Sequence, residues 1–174
     1  MKTYISANIG SLTALKEVIT ECDDQAYQSI AKPAFQSSLG QHARHIVEHY
    51  QCFFSQIEEG KSLNYDLRCR DPRLDNERDT CIAEIDRLVS EFEAFQMIDF
   101  DLKTSDDYSQ YEARSSLCRE LMFLVSHTEH HNAMIAAMKR ISGDKVDASF
   151  GVANATLNHI DRLKKAHKKA VNES

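Results

Sequence analysis

The apolar residues of this chain recur at steps of three and four over long stretches, as they do in amphipathic helices. Five such stretches are present, with approximate limits at 6–29, 37–59, 76–95, 116–141 and 153–170. Ser37 or Ser38 can cap the second helix, and Gly60 follows its end. Gly143 lies just beyond the fourth. The pattern therefore predicts five helices, of which the fourth is the most regular.

Two connecting segments lack this period. Residues 60–75 contain turn-forming residues and no sustained repeat, which predicts a long ordered loop after the second helix. Between residues 97 and 112, Ile98, Phe100 and Leu102 alternate with polar residues. A period of two beside a polar turn predicts a short β-hairpin or an extended crossover there.

The amino-acid composition, taken together with the helical pattern, predicts a fold class. The chain has 174 residues, with only 5 Gly and 2 Pro, which favours long helices over a turn-rich β fold. This length fits one domain, residues 1–174, with a core of its own. We therefore expect an all-α protein, an antiparallel four-helix bundle with an extra C-terminal helix.

The net charge and the cysteine content indicate which classes of binding partner and which cellular compartment fit this chain. The net charge of -6 argues against binding to nucleic acid or to an anionic membrane. No run of about 18 apolar residues is present, and the first residues lack a stretch of signal-peptide length. The 5 cysteines are scattered, which is typical of reduced thiols. These features predict a cytoplasmic protein.

Histidines carry the candidate chemistry. His127 and His131 are four residues apart, so on a helix their side chains lie on one face, where both can reach one metal ion. His131 falls on the apolar stripe of the fourth helix. At 100° per residue His127 lies about 40° from it and His130 about 100°. His127 and His131 are the candidate ligands, and His130 is a weaker one.

The third ligand has to come from another element. The second helix carries His42, His45 and His49. Measured from the mean direction of its apolar stripe, His42 lies about 80° away, His49 about 100° and His45 about 140°. Periodicity alone therefore favours His42 or His49 over His45.

A family resemblance bears on the same choice. The stretch Ser38–Ile46, followed about eighty residues later by His127–His131, resembles the DinB/YfiT-like superfamily of metalloenzymes. Residues 65–72 and 150–153 also resemble features of one bacterial branch of that family. Carried over by position, the resemblance implies a histidine triad of His45, His127 and His131. It also implies one divalent metal ion, which three imidazoles leave open as Zn, Ni, Fe or Mn.

The resemblance implies a class of reaction as well. Relatives in this family include transferases that use a low-molecular-weight thiol, and the shared chemistry is a metal-bound thiol or water activated as a nucleophile. We expect a metal-dependent enzyme, either a thiol S-transferase or a hydrolase, with a small-molecule substrate. Glu129 or His49 could transfer a proton or orient a ligand, and Arg68 and Arg70 could bind a substrate carboxylate. Ion pairs of these arginines with Asp66 and Asp71 are the structural alternative.

Two other readings of the pattern remain open. One is a non-catalytic bundle whose histidines bind a metal or small ligand for stability or stress sensing. The other is a structural, dimerising module with hydrogen-bonded core histidines. Apolar side chains around Phe100, Tyr108 and Tyr111 allow a homodimer.

Overall fold

The computed structural model describes residues 2–58, 62–96, 100–109 and 111–172. Within these ranges the chain is mostly helical, with one small antiparallel sheet. The helices are α1 (Lys2–Thr20), α2 (Asp24–Gln28), α3 (Leu39–Glu58), α4 (Arg73–Asn76), α5 (Arg78–Ala94), α6 (Leu117–Ile141) and α7 (Asn154–Asn172). The strands are β1 (Asp101–Ser105) and β2 (Glu112–Ser116), and a 3-10 turn covers Tyr65–Leu67.

The prediction of one continuous helix over residues 6–29 is wrong in its second half. The chain leaves the helical conformation after Thr20 and re-enters it at Asp24. Asp23 has an extended backbone, and its side chain accepts a hydrogen bond of 2.7 Å from the backbone N–H of Ala26. A carboxylate that satisfies a free N–H in this way starts a new helix, which periodicity does not distinguish from continuation of the old one.

The starts of α3 and α6 are set by serine caps. The backbone N–H of Gln41 donates to Ser38 Oγ at 3.1 Å, and the backbone N–H of Ser38 donates to Gln41 Oε1 at 3.0 Å. This reciprocal pair is a capping box, and it confirms Ser38 as the cap. Ser116 caps α6 by accepting from the backbone N–H of Arg119 at 3.3 Å. The predicted end of the second helix at residues 59–60 lies outside the described residues.

Over its described part, residues 62–77, the connection between α3 and α5 is ordered, as predicted, and it contains the 3-10 turn and the short α4. Leu63 lies beside the hairpin, donating its backbone N–H to Lys103 and accepting from Ser105, both at 3.0 Å. The Asn64 side chain accepts from the backbone N–H of Asp66 at 2.8 Å, which starts the 3-10 turn. These bonds hold the loop against the edge of the sheet.

The hairpin prediction is confirmed over residues 101–116. Strands β1 and β2 are antiparallel, with Asp101 opposite Ser116 and Ser105 opposite Glu112. Ile98, which contributed to the predicted alternation, lies outside the described residues. Phe100 and Leu102 are within them, exposed and half-buried respectively.

The long helices pack around a common apolar core. Helix α1 contacts α5 and α6, and α3 contacts α4, α5 and α6. Fully buried side chains from four of the long helices, α1, α3, α5 and α6, meet there, among them Leu12, Leu15, Ile19, Ile46, Tyr50, Phe53, Ile85, Leu88, Leu121 and Leu124. Burial of each such side chain contributes roughly 1.5–3 kcal/mol, so the stripes read from the sequence supply the driving force for this packing.

A small hydrogen-bonded polar network is buried within this core. The Tyr50 hydroxyl of α3 donates to Asn8 Oδ1 of α1 at 2.9 Å and lies 2.9 Å from Thr128 Oγ1 of α6. The Asn8 amide in turn donates to the carbonyl of Leu121 at 3.1 Å. Burial raises the pKa of Tyr50, so its hydroxyl stays protonated and bonded. The contact joins three helices.

Helix α7 differs from the others in its surroundings. Its apolar residues Ile160 and Leu163 are exposed, and Leu157 is half-buried. Within the described ranges, no helix combines the length and the apolar character that crossing a bilayer requires.

We expect Gly40→Ala to lower the free energy of unfolding by roughly 1–3 kcal/mol, because a Cβ there overpacks a rigid contact. The added atom would lie 2.4 Å from the carbonyl oxygen of Asp75 and 2.7 Å from Tyr27 Cε1. The matched control is Gly10→Ala in α1, where nothing lies within 4 Å. That change is expected to stabilise the chain by about 0.5–1 kcal/mol. Urea denaturation measures both, and equal effects of the two variants would contradict the close approach of α3 to Asp75.

Candidate metal centre

Three histidines from two helices lie together. His45 of α3 and His127 and His131 of α6 each offer one ring nitrogen, and these nitrogens all lie within 4.8 Å of one another. His45 Nε2 is 3.1 Å from His127 Nε2. The three ring centroids are 4.6–4.9 Å apart. The spacing of four residues therefore puts His127 and His131 on the face of α6 that meets α3.

The distances suit a single ion. Three imidazole nitrogens bound to one tetrahedral zinc ion at 2.0–2.1 Å lie about 3.3 Å apart, so small side-chain shifts would complete a site. The donor set is three neutral imidazoles, which Zn, Ni, Fe and Mn all accept. His127 Nδ1 is buried and has no hydrogen-bond partner among the described residues.

His42, which precedes His45 on α3, contacts the three-histidine cluster at His131. Its Nδ1 lies 3.0 Å from His131 Nδ1, so one of these two nitrogens carries a proton and the other accepts it. His42 is only 7% exposed, and its Nε2 is buried without a partner among the described residues. The contact fixes the orientation of the His131 ring.

His49, which follows His45 on α3, contacts the three-histidine cluster at His45 and His127. Its Nδ1–H donates to the backbone carbonyl of His45 at 2.6 Å, which leaves Nε2 as the acceptor nitrogen of a neutral ring. The His49 ring is 3.9 Å from that of His127, centroid to centroid, and stacks on Tyr65 at 5.3 Å. His49 thus separates the three histidines from the 3-10 turn.

The three candidates on α3 therefore have different positions. The resemblance implied His45, and His45 is the one grouped with His127 and His131. The helical wheel favoured His42 or His49, and these two flank the group. A helical wheel is referred to the mean apolar direction of a helix. Helix α3 packs against α2, α4, α5 and α6 at once, so its face toward α6 lies off that mean direction. His130 is exposed, as expected from its place at the edge of the stripe.

Burial keeps these rings uncharged. It lowers the pKa of His127 to about 2 and that of His45 to about 3, and the neighbouring histidines add to the effect. Burial is also the main reason why the pKa values of His131 and His49 are lowered to about 4. All four are neutral at pH 7, which is the form that binds metal ions.

Glu129 lies on another side of α6. Its Oε1 accepts from the backbone N–H of Asn154, the first residue of α7, at 3.0 Å. It also lines a cavity with residues of α1 and of the 147–152 loop. This contact attaches α7 to α6, and the predicted role of Glu129 in proton transfer stays a prediction.

The two arginines of the loop differ from each other. Arg68 is largely buried and donates from Nη1 to the carbonyl of Tyr65 at 2.6 Å, with Asp66 Oδ1 at 3.9 Å. Arg70 is exposed and has a positive φ of 55°. The ion-pair alternative holds in part, because Asp66 lies near Arg68, whereas Asp71 pairs with Arg73 at 2.6 Å.

A cleft of about 440 Å³ opens beside His49, between the 3-10 turn, the hairpin and the start of α6. Tyr65, Arg68, Arg119 and Phe123 line it. Arg119 and Phe123 were missed as site residues in the sequence, although a signal existed. Positions 119, 123, 127 and 131 follow one another at steps of four, so they form one ridge of α6.

Comparisons with known proteins add little to this site. No family model matches the chain. A curated relative, FK506-binding protein 5 of the fungus Rhizopus delemar, is 33% identical over 107 residues. The match covers 58% of this chain and only 28% of that protein, so the chain spans less than a third of the relative.

Acid is expected to destabilise the metal-free protein as pH falls from 7 to 5. Unfolded histidines bind protons below about pH 6.5, whereas these folded histidines stay neutral until about pH 4. The stabilisation that comes from keeping these histidines neutral is therefore fully present above pH 6.5, and it is lost progressively as the pH falls below that value. We expect the free energy of unfolding to fall by roughly 2–4 kcal/mol, allowing for solvent screening of the partly exposed rings of His45, His127 and His131.

Urea denaturation at several pH values measures this slope. His127→Gln removes one of the neutral rings and is expected to flatten it, whereas His159→Gln, on exposed α7, is the matched control. A wild-type stability that does not change between pH 7 and pH 5 would contradict the buried neutral cluster.

Proposed function

We propose that this chain is a DinB/YfiT-like metal-dependent enzyme, built as an antiparallel four-helix bundle of α1, α3, α5 and α6. Its one divalent ion, Zn, Ni, Fe or Mn, is held by His45, His127 and His131. The observation that carries the proposal is the grouping of three imidazole nitrogens within 4.8 Å, contributed by two helices. The contacts among the four long helices support the bundle.

The bound ion would act as a Lewis acid that lowers the pKa of a thiol or water and makes it a nucleophile at neutral pH. The residues around it have distinct tasks. His42 orients His131 through the contact of 3.0 Å between their Nδ1 atoms. The backbone of His45 holds His49 through the bond of 2.6 Å. These contacts resemble the outer hydrogen bonds that orient metal-binding histidines in other proteins.

His49 is the proton acceptor of the proposed reaction. Its Nδ1–H is already bonded to the carbonyl of His45, so Nε2 bears the free lone pair of the neutral ring. The ring lines the cleft and contacts the ring of His127. It is thus close to both the incoming substrate and the metal ligands, as a general base requires. Glu129, the other predicted catalytic residue, is a weaker choice because its carboxylate is bonded to α7.

The proposed reaction is transfer of a small thiol to an electrophilic substrate, with hydrolysis as the related option. A low-molecular-weight thiol as the co-substrate follows from the family resemblance alone. Arg68 supports the predicted carboxylate contact because it lines the cleft, and Arg70 is proposed with it from its place in the same loop. We also propose a cytoplasmic location, consistent with five free cysteines.

A non-catalytic metal- or ligand-binding bundle is the second candidate. It is favoured by one observation, the pairwise contacts of 3.0 and 3.1 Å that let the histidines satisfy one another without substrate. Strong thermal stabilisation by a metal, without turnover of any electrophile in the presence of cellular thiols, would distinguish this role. A homodimer is proposed with either function, because Tyr108 and Tyr111 of the hairpin are 98% and 80% exposed.

Removing two of the ligands is expected to abolish metal binding. We expect His127→Ala together with His131→Ala to lower zinc affinity by more than about 100-fold. This loss is larger than the loss of about 10- to 100-fold that is typical when a residue that only orients a metal ligand is removed. Metal analysis after dialysis and titration against a chromophoric chelator measure this. His130→Ala, an exposed histidine on the same helix, is the matched control and keeps wild-type binding. Unchanged metal content in the double variant would show that the triad is wrong.

A change at His42 tests the outer contact separately. His42→Leu is expected to lower zinc affinity about 10–100-fold, because the His131 ring loses its partner. His42→Asn retains a polar group near the position of Nδ1 and is expected to recover most of the affinity. The melting temperature of the metal-free variants reports any purely structural effect. Equal affinities of wild type and His42→Leu would remove His42 from the site.

A further inference from the structure

The cleft beside His49 has a balanced set of charges. Two guanidinium groups, of Arg68 and Arg119, and two carboxylates, of Asp66 and Asp106, line it. Arg119 lies at the start of α6, Asp106 in the hairpin turn, and the other two in the 3-10 turn and just after it. Charged side chains of both signs therefore come from three separate elements that meet at one cavity.

These charges are only partly used within the protein. Arg68 is 13% exposed at its side chain, yet its Nε is buried without a partner among the described residues, and Asp66 is 3.9 Å away. Arg119 is 59% exposed at its side chain and donates to Glu120 Oε1 at 3.0 Å. Asp106 accepts from both the backbone N–H and the hydroxyl of Ser109, and Asp66 accepts from the backbone N–H of Asp107 at 3.1 Å. Each group retains hydrogen-bonding capacity toward a ligand.

The balance excludes several ligand classes. A multiply charged anion would be repelled by the two carboxylates, and a polycation by the two guanidinium groups. A wholly apolar ligand would leave the buried Nε of Arg68 without a partner, which costs free energy. A ligand that carries one charge of each sign meets none of these penalties.

The remaining wall of the cleft is aromatic. The rings of Tyr65 and Phe123 lie 5.0 Å apart, and the Arg119 guanidinium lies 5.4 Å from the centroid of Phe123. Tyr65 is fixed in place by its hydroxyl, which donates to the buried carboxylate of Glu120 at 3.1 Å. Preset rings of this kind suit a flat or bulky apolar group.

We propose that this cleft binds a zwitterionic α-amino acid with an apolar side chain, or the same unit within a slightly larger molecule. Its carboxylate meets Arg68 and Arg119, its ammonium meets Asp66 and Asp106, and its side chain packs against Tyr65 and Phe123. The cleft extends to His49, whose ring contacts His127, so a ligand held there lies beside the histidine cluster. The inference deepens the proposed function by naming a substrate class, and it rests on that function only for the subsequent reaction.

Three related probes test the charge requirement. L-phenylalanine carries both charges, phenylpropionate lacks the ammonium and phenethylamine lacks the carboxylate. Binding to the metal-free 174-residue chain is followed by chemical-shift titration. We expect L-phenylalanine to bind about tenfold more tightly than either analogue, since each lost charged hydrogen bond costs about that factor. Equal affinities for the three probes, or no binding of L-phenylalanine, would overturn the proposal.

Two single substitutions test the contact to the ligand's carboxylate and the contact to its ammonium group separately. Arg119→Gln, at an exposed position, is expected to weaken L-phenylalanine and phenylpropionate about three- to tenfold and to leave phenethylamine unchanged. Asp106→Asn is expected to give the reciprocal result, weakening L-phenylalanine and phenethylamine alone. Arg140→Gln is the matched control, because Arg140 is an exposed arginine of the same helix and does not line the cleft. A loss with Arg140→Gln as large as that with Arg119→Gln would contradict the assignment.

The variant with alanine at positions 127 and 131 separates this inference from the proposed metal site. We expect it to retain L-phenylalanine binding while it loses zinc. Normal zinc binding by the wild type without binding of L-phenylalanine would overturn the ligand class alone. Absence of zinc binding with normal L-phenylalanine binding would overturn the metal site alone.

Discussion

The hydroxyl of Tyr50 determines how three helices face one another. It bonds to Asn8 of α1 and Thr128 of α6 from within the core, where an unpaired phenol would cost several kilocalories per mole. Because α3 cannot slide along α6 without breaking these contacts, the register of the two helices is fixed. Thr128 follows His127, and His49 precedes Tyr50. The bond that satisfies a core phenol therefore also decides which histidines meet.

This constraint explains why the histidine cluster is compact. The histidines occupy a face of α3 that is determined by its contact with α6, and the rings fill the space between the helices at centroid distances of 3.9–4.9 Å. Their low pKa values follow from the same burial, so one feature supplies both the geometry and the charge state. The preorganised cluster is a consequence of helix packing.

Much of this was predictable from the sequence, and the exceptions have physical reasons. The long helices, the hairpin and the ordered loop follow from periodicity and turn residues. Periodicity alone did not select His45, because α3 has neighbouring helices on several sides and therefore no single inward direction. The break before α2 depends on a hydrogen bond from Ala26 to Asp23, which hydrophobic patterns do not register. Arg119 was missed because its ridge on α6 becomes meaningful only once the hairpin closes one side of the cleft.

The carboxylate of Glu129 joins two parts of the chain that otherwise touch little. It holds the first N–H of α7, and it belongs to the same helical turn as His127 and His131. The histidines point toward α3 while the glutamate anchors the C-terminal helix on another face. The turn of α6 that carries two of the three histidines is therefore also the turn to which the last helix is tethered, so the position of α7 and that of the histidines share one anchor.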